Sequence, residues 1–126
     1  MGFRRQPQAS SPAQAKPRFT IKGSPRFAEF RNRVKKSKSE RDKYLDRLID
    51  SAITILGSRA TVGDSISRGR WPKSYQAFHL PCLFRYDLDA NHRMTYSILK
   101  IGKDPAFVWI IEVMDHEEYN RRFGYR

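Results

Sequence analysis

Apolar positions along this chain change period several times, and each change marks an element. Arg18-Phe19-Thr20-Ile21-Lys22 alternates polar and apolar, the period of a half-buried strand. Gly23-Ser24-Pro25 punctuates it, with Ser24 suited to an N-cap and Pro25 to the first helical position. Phe27, Phe30 and Val34 then share one helical face. Ser37-Lys38-Ser39 interrupts that helix, and Ser37 with Glu40 has the spacing of a capping box opening a second one. Tyr44, Leu45, Leu48, Ile49, Ala52, Ile53 and Leu56 form a continuous stripe that ends at Gly57, a natural helix stop. The short break predicts an antiparallel helical hairpin. The charges opposite the stripe (Arg41, Lys43, Asp46, Arg47) read as a solvated face.

After a long connection over Ser58–Pro81, period 2 returns. Leu83–Leu88 reads as a strand, Asp89–His92 as a turn and Arg93–Ile101 as the next strand. Gly102–Pro105 is the following turn. Phe107–Met114 is apolar apart from Glu112, as expected of a central strand covered on both faces. Asp115 and Glu118 are spaced to cap a terminal helix, His116–Phe123. The fold class is α+β: an N-terminal strand, a helical hairpin, a three-stranded antiparallel meander and a short C-terminal helix. Residues 1–17 are rich in Gln, Ser, Pro and Ala and are expected to be a disordered basic tail, leaving 18–126 as one domain.

Charge narrows the partner class. The chain has 25 Lys+Arg against 13 Asp+Glu, a formal net charge of +12. The first 26 residues carry six basic side chains and no acid, half of that excess, so the folded part is basic as well. Nucleic acid is the leading partner for such a balance, an acidic protein the second, and mere solubility the bland reading. The connection contributes Arg68, Arg70 and Lys73, and either hides a turn of helix around Thr61–Ile66 or is a mobile segment facing nucleic acid. Trp71, Tyr75 and Phe78 are expected to tie its end to the core, with base stacking as the sharper, less favoured reading of Trp71. Cys82 is the single cysteine, and no Cys/His cluster has metal-ligand spacing, which suits a reducing cytoplasm and calls for no cofactor. No apolar run approaches the ~18 residues needed to cross a membrane.

Alternation also assigns faces. Met94, Tyr96 and Ile98 form an apolar face that the hairpin covers, together with Phe84, Tyr86 and Leu88 of the preceding strand. Arg93, Thr95 and Ser97 are then expected to lie on an open face beside Arg85 and Asp87. Glu112 is expected on that open face with Val108 and Ile110. This makes a shallow basic cleft with one carboxylate, edged by the terminal helix. His79 and His92 read as packing or turn residues.

Arg93-Met94-Thr95-Tyr96, an apolar strand, and Asp115-His116-Glu117-Glu118-Tyr119 follow one another in an order and spacing that resembles the RelE/YoeB-type toxins of type II toxin–antitoxin systems. The likeness is sharp from Leu83 to Phe123 and extends in element order from Phe19. It implies a small basic cytoplasmic endoribonuclease (an mRNA interferase, a hydrolase) that cuts mRNA on the ribosome and is neutralised by a cognate antitoxin. By that resemblance Arg93 matches a phosphate-binding arginine, and Arg85 a basic residue on the preceding strand. His116 and Tyr119 fall in the segment that supplies acid/base groups, and either can match the family's position there. Glu112 is a further candidate base. Arg68, Arg70, Lys73, Arg121 and Arg122 are candidate RNA contacts, and the ribosome with its rRNA a candidate partner. The long connection, the basic tail and the acid or imidazole at Asp115/His116 depart from the family pattern. The implied reaction is attack of a 2′-hydroxyl on the adjacent phosphorus, with a base, an acid and cations around the phosphorane, and no metal. Two rival readings remain: a ParE-like gyrase poison, and a catalytically inactive basic nucleic-acid-binding member of the same fold.

Overall fold

The structure is a computed structural model, and it describes residues 18–124. The expected disordered tail therefore lies outside the described residues. In chain order the elements are β1 (Thr20–Gly23), α1 (Pro25–Lys36), α2 (Glu40–Ser58), β2 (Asp64–Ser65), a 3-10 turn at Arg68–Arg70, α3 (Lys73–Gln76), β3 (Phe84–Asp87), β4 (His92–Leu99), β5 (Phe107–Asp115) and α4 (His116–Phe123). The domain is α+β, with four α-helices and a five-stranded mixed sheet among the described residues.

Local chemistry accounts for the helix ends. The Ser24 side chain accepts the Phe27 N–H and Pro25 opens α1. At α2 the cap is Ser39, whose hydroxyl accepts the Asp42 N–H, so the Ser37/Glu40 box gives way to a cap two residues later. Asp115 accepts the Glu118 N–H at α4, and Gly124, at φ 78°, closes that helix in the left-handed conformation glycine tolerates.

The sheet order is β1-β5-β4-β3-β2; β1 runs parallel to β5 and the other pairs are antiparallel. The hairpin of α1 and α2 covers one face, packing Phe27, Val34, Leu45, Ile49, Ala52 and Leu56 on Met94, Tyr96, Val108 and Ile110. Met94, Tyr96 and the stripe from Leu45 to Leu56 pack as their spacing predicts, whereas Tyr44 is 46% exposed, and Val108 and Ile110, expected on the other face, belong to this core.

The other face was expected to be open, and it is covered. Ile66, Trp71, Tyr75, Leu80 and Leu83 from the connection join Ile111, Met114, Tyr119 and Phe123 in a second core. Thr95 and Ser97 are each 0% exposed. Ser97 donates to the Cys82 carbonyl at 2.7 Å, and the buried hydroxyls thereby stay satisfied. The connection is folded rather than a free segment. No turn of helix forms at Thr61–Ile66, because the backbone there adds a short edge strand, β2, pairing Asp64 with Arg85. The Tyr96 phenol secures this segment by accepting from Gly63 N–H at 3.0 Å and donating to Ala60 O at 2.7 Å. Burial pushes that phenol up to about 12. Trp71 is 6% exposed and donates its indole N–H to Ile66 O at 2.8 Å, so packing is its role.

A bulge in β5 overturns a second expectation. Thr95 pairs with Glu112 and Tyr96 with Ile110, leaving Ile111 without a partner in the register. Strict alternation puts Glu112 with Val108 and Ile110. The extra residue separates them: Glu112 lies on the expected face with Thr95, where α4 and Tyr75 also lie, while Val108 and Ile110 turn to the hairpin side. Ser24 donates to the freed Ile111 carbonyl at 2.6 Å, and its N–H donates to Ile110 O at 2.8 Å.

Candidate functional site

Cross-strand register sets the arginines side by side. Arg85 is opposite Thr95, and Asp87 opposite Arg93. Arg93 is in turn opposite Met114, two residues before His116. Arg85 Nε lies 2.8 Å from Asp87, its terminal nitrogen 3.0 Å from Asp64, and Arg93 Nε 3.4 Å from the same Asp87. Arg93 also donates to the Asp89 carbonyl at 3.0 Å, closing the turn before β4. Burial pulls the Arg85 guanidinium down, and the Asp87 charge with help from Tyr119 and Asp64 more than restores it, so it stays charged. The acids that hold these two arginines are themselves exposed, Asp64 at 74% and Asp87 at 45% of the side chain. An incoming phosphate can take their place at small cost, since a released surface carboxylate is rehydrated.

Tyr119 is 1% exposed and stacked on Phe123, with ring centroids 4.5 Å apart. Its ring lies 5.4 Å beneath the Arg85 guanidinium. Tyr119 thus supports an arginine and offers no ring face to a base. His116 is half-buried at the start of α4, and its backbone N–H donates to Asn91 O at 2.8 Å. His92 Nδ1 sits 3.0 Å from Asp89 in the β3–β4 turn, and exposed His79 adopts φ 55° after α3, so both imidazoles belong to turns.

Glu112 belongs to a separate, buried knot. Its side chain is 5% exposed and lies 3.0 Å from Arg122 and 3.3 Å from Arg26. Tyr75 donates to the same carboxylate and receives a bond from Thr95 at 2.8 Å. Burial, and then the neighbouring Glu112 charge, push the Tyr75 phenol far up, which keeps it a donor. Buried and engaged by two arginines and a phenol, Glu112 holds Arg122 and α4 in place. Arg122 also reaches Glu118 at 3.2 Å. Tyr75 packs into the core as expected, but the pairings of Arg26, Asp64 and Tyr75 carry no signal in the linear sequence; each joins elements distant in the chain.

The remaining basic candidates divide. Arg68 caps the Leu80 and Pro81 carbonyls and lies over the Trp71 ring at 4.7 Å, which makes it a clamp within the connection. Lys73 and Arg121 are exposed. Arg70 donates to Gly124 O at 3.0 Å, tying the connection to the end of α4. Among the described residues no group of His, Cys, Asp and Glu side chains could hold a metal ion, and no helix is long and apolar enough to cross a membrane.

Fold and site together define a small basic α+β domain with Arg85 and Arg93 side by side on neighbouring strands of a sheet covered on both faces. Comparison with family models, curated proteins and solved structures returns no match to this chain.

Proposed function

We propose that this chain is an endoribonuclease toxin of the RelE/YoeB type, acting on mRNA at the ribosome and held inactive by an acidic antitoxin. The observation that carries the reading is the pair Arg85 and Arg93 on neighbouring strands, sharing the exposed Asp87, with His116 two residues beyond Arg93's cross-strand partner. A scissile phosphate replaces Asp87 and Asp64 on the two guanidinium forks. Attack of the 2′-hydroxyl then raises charge on the phosphorane oxygens, which the forks stabilise, and His116 transfers the proton to or from the reacting oxygens. DNA lacks that nucleophile and is not cut. The order of strand, hairpin, antiparallel strands and terminal helix supports the likeness, and the +12 charge suits both RNA and an acidic inhibitor.

The test is induced expression of wild type, Arg93→Ala and His116→Ala with mapping of mRNA 5′ ends. Growth arrest with codon-phased cuts, lost in both variants, is the expected outcome. Arrest with DNA breaks and intact mRNA overturns it in favour of a gyrase poison. A second reading, an RNA binder without cleavage, is favoured by one observation: Arg85 and Arg93 already have carboxylate partners. Tight RNA binding without any cuts identifies it.

A further inference from the structure

We infer that a second nucleotide of single-stranded RNA binds away from Arg85 and Arg93, its base in the notch of Phe78 and Trp109 and its phosphate in a basin of Arg70, Arg121 and Arg122. The inference deepens the RNA-directed reading above and rests on it.

The notch holds about 260 Å³, between the start of α1 and the connection. Phe78 is its outer wall and is 45% exposed, unusual for a phenylalanine that already touches two other rings. Phe78 and Trp109 meet edge to face at 5.4 Å and 89°, so one ring face is left for a planar guest while the other wall meets its edge. The walls are apolar, but Glu112, Arg26 and Arg122 stand at one end. Arg26 is 71% exposed there and keeps donors that a purely apolar side chain of a partner peptide leaves unused. A nucleobase brings edge donors and acceptors to them.

The basin holds about 540 Å³ between the Arg68–Arg70 turn and the end of α4. Three arginines line it, and among the described residues no carboxylate does. Arg122 is fixed there by buried Glu112, and Arg70 by the Gly124 carbonyl, so two of the three forks are oriented before any ligand arrives. A side chain at Gly69 would meet nothing within 4 Å, which leaves this wall open to a backbone. Arg122 lines both the notch and the basin, the arrangement a base with its own phosphate requires. Aromatic platform and cationic basin together are how sequence-tolerant single-strand binders hold a nucleotide.

The test uses a labelled 2′-O-methyl RNA hexamer, which cannot be cut, and an abasic oligomer of the same length, titrated by fluorescence anisotropy at several salt concentrations. Phe78→Ala is expected to weaken the hexamer roughly tenfold and leave the abasic oligomer unchanged, with Phe78→Trp restoring affinity. Arg121→Gln is expected to weaken both and lower the slope of log K against log salt by about 0.7, one phosphate contact. Equal loss on both oligomers in Phe78→Ala, or an unchanged slope in Arg121→Gln, overturns the site. So does preferential binding of a Tyr-containing acidic peptide that Phe78→Ala abolishes while hexamer affinity is unchanged. Failure of cleavage in cells with the Phe78 effect intact removes only the nuclease reading. Cleavage that depends on Arg93, with no Phe78 effect, removes only this one.

Discussion

Glu112 is the residue on which the second core turns. It is buried, yet it neutralises Arg122 and receives the Tyr75 hydroxyl. Removing one member of such a knot strands the others, so Glu112→Ala is expected to cost about 3–5 kcal/mol by urea denaturation. Tyr75→Phe, which loses two bonds but strands only Thr95 and one carboxylate lone pair, should cost about 1–2 kcal/mol. Asp64→Asn makes a useful contrast. The acid is largely exposed, so stability should change by less than about 0.5 kcal/mol, while Arg85 keeps only Asp87 of its two carboxylates and RNA affinity rises in the same salt series. The neighbourhood of Arg85 and Arg93 was legible in the sequence, because period 2 puts residues 85, 87 and 93 on one side once the strands pair. The side on which Val108 and Ile110 lie was not, because a bulge has no composition of its own: Ile111 reads as any other core isoleucine.

Ser24 joins two elements and serves both. It caps α1 and fills the carbonyl that the bulge in β5 leaves over. Ser24→Ala is therefore expected to cost about 2 kcal/mol, more than a cap alone, measured as a lowered urea midpoint. The hairpin has its own clasp. Asp46 on α2 lies 3.0 Å from Arg31 and 3.3 Å from Lys35 on α1, and Arg31 also reaches Asp50. Burial raises the Asp46 carboxyl, but the bonds to Arg31 and Lys35 outweigh it and leave the group below its ordinary value. A depressed folded value means the clasp acts fully above about pH 4 and is lost as the pH falls through that value. Asp46→Asn should flatten the acid limb of stability against pH, by about 1 kcal/mol or less, in thermal melts from pH 6 to pH 2.5. The sequence reading assigned Asp46 to a solvated face. Its helix position was right and its partner was missed, since a helical wheel does not know which helix lies alongside.

In the molecule as a whole, the hairpin covers one face of the sheet, while α4 and the folded connection cover the other. Charge is distributed over this frame in two ways. Arg26, Arg85, Arg93 and Arg122 have carboxylates within 4 Å, whereas Arg70 donates to the Gly124 carbonyl and Arg121 is exposed. Element types, their order and the basic balance follow from the linear chain, because periodicity, caps and charge are local properties. The covering of the second face, the turn of Val108 and Ile110 to the hairpin and the pairing of each arginine are set by contacts between segments far apart in sequence. Apolar residues scattered over Ile66–Leu83 show no period, and they become a core only when the sheet gives them a surface to close.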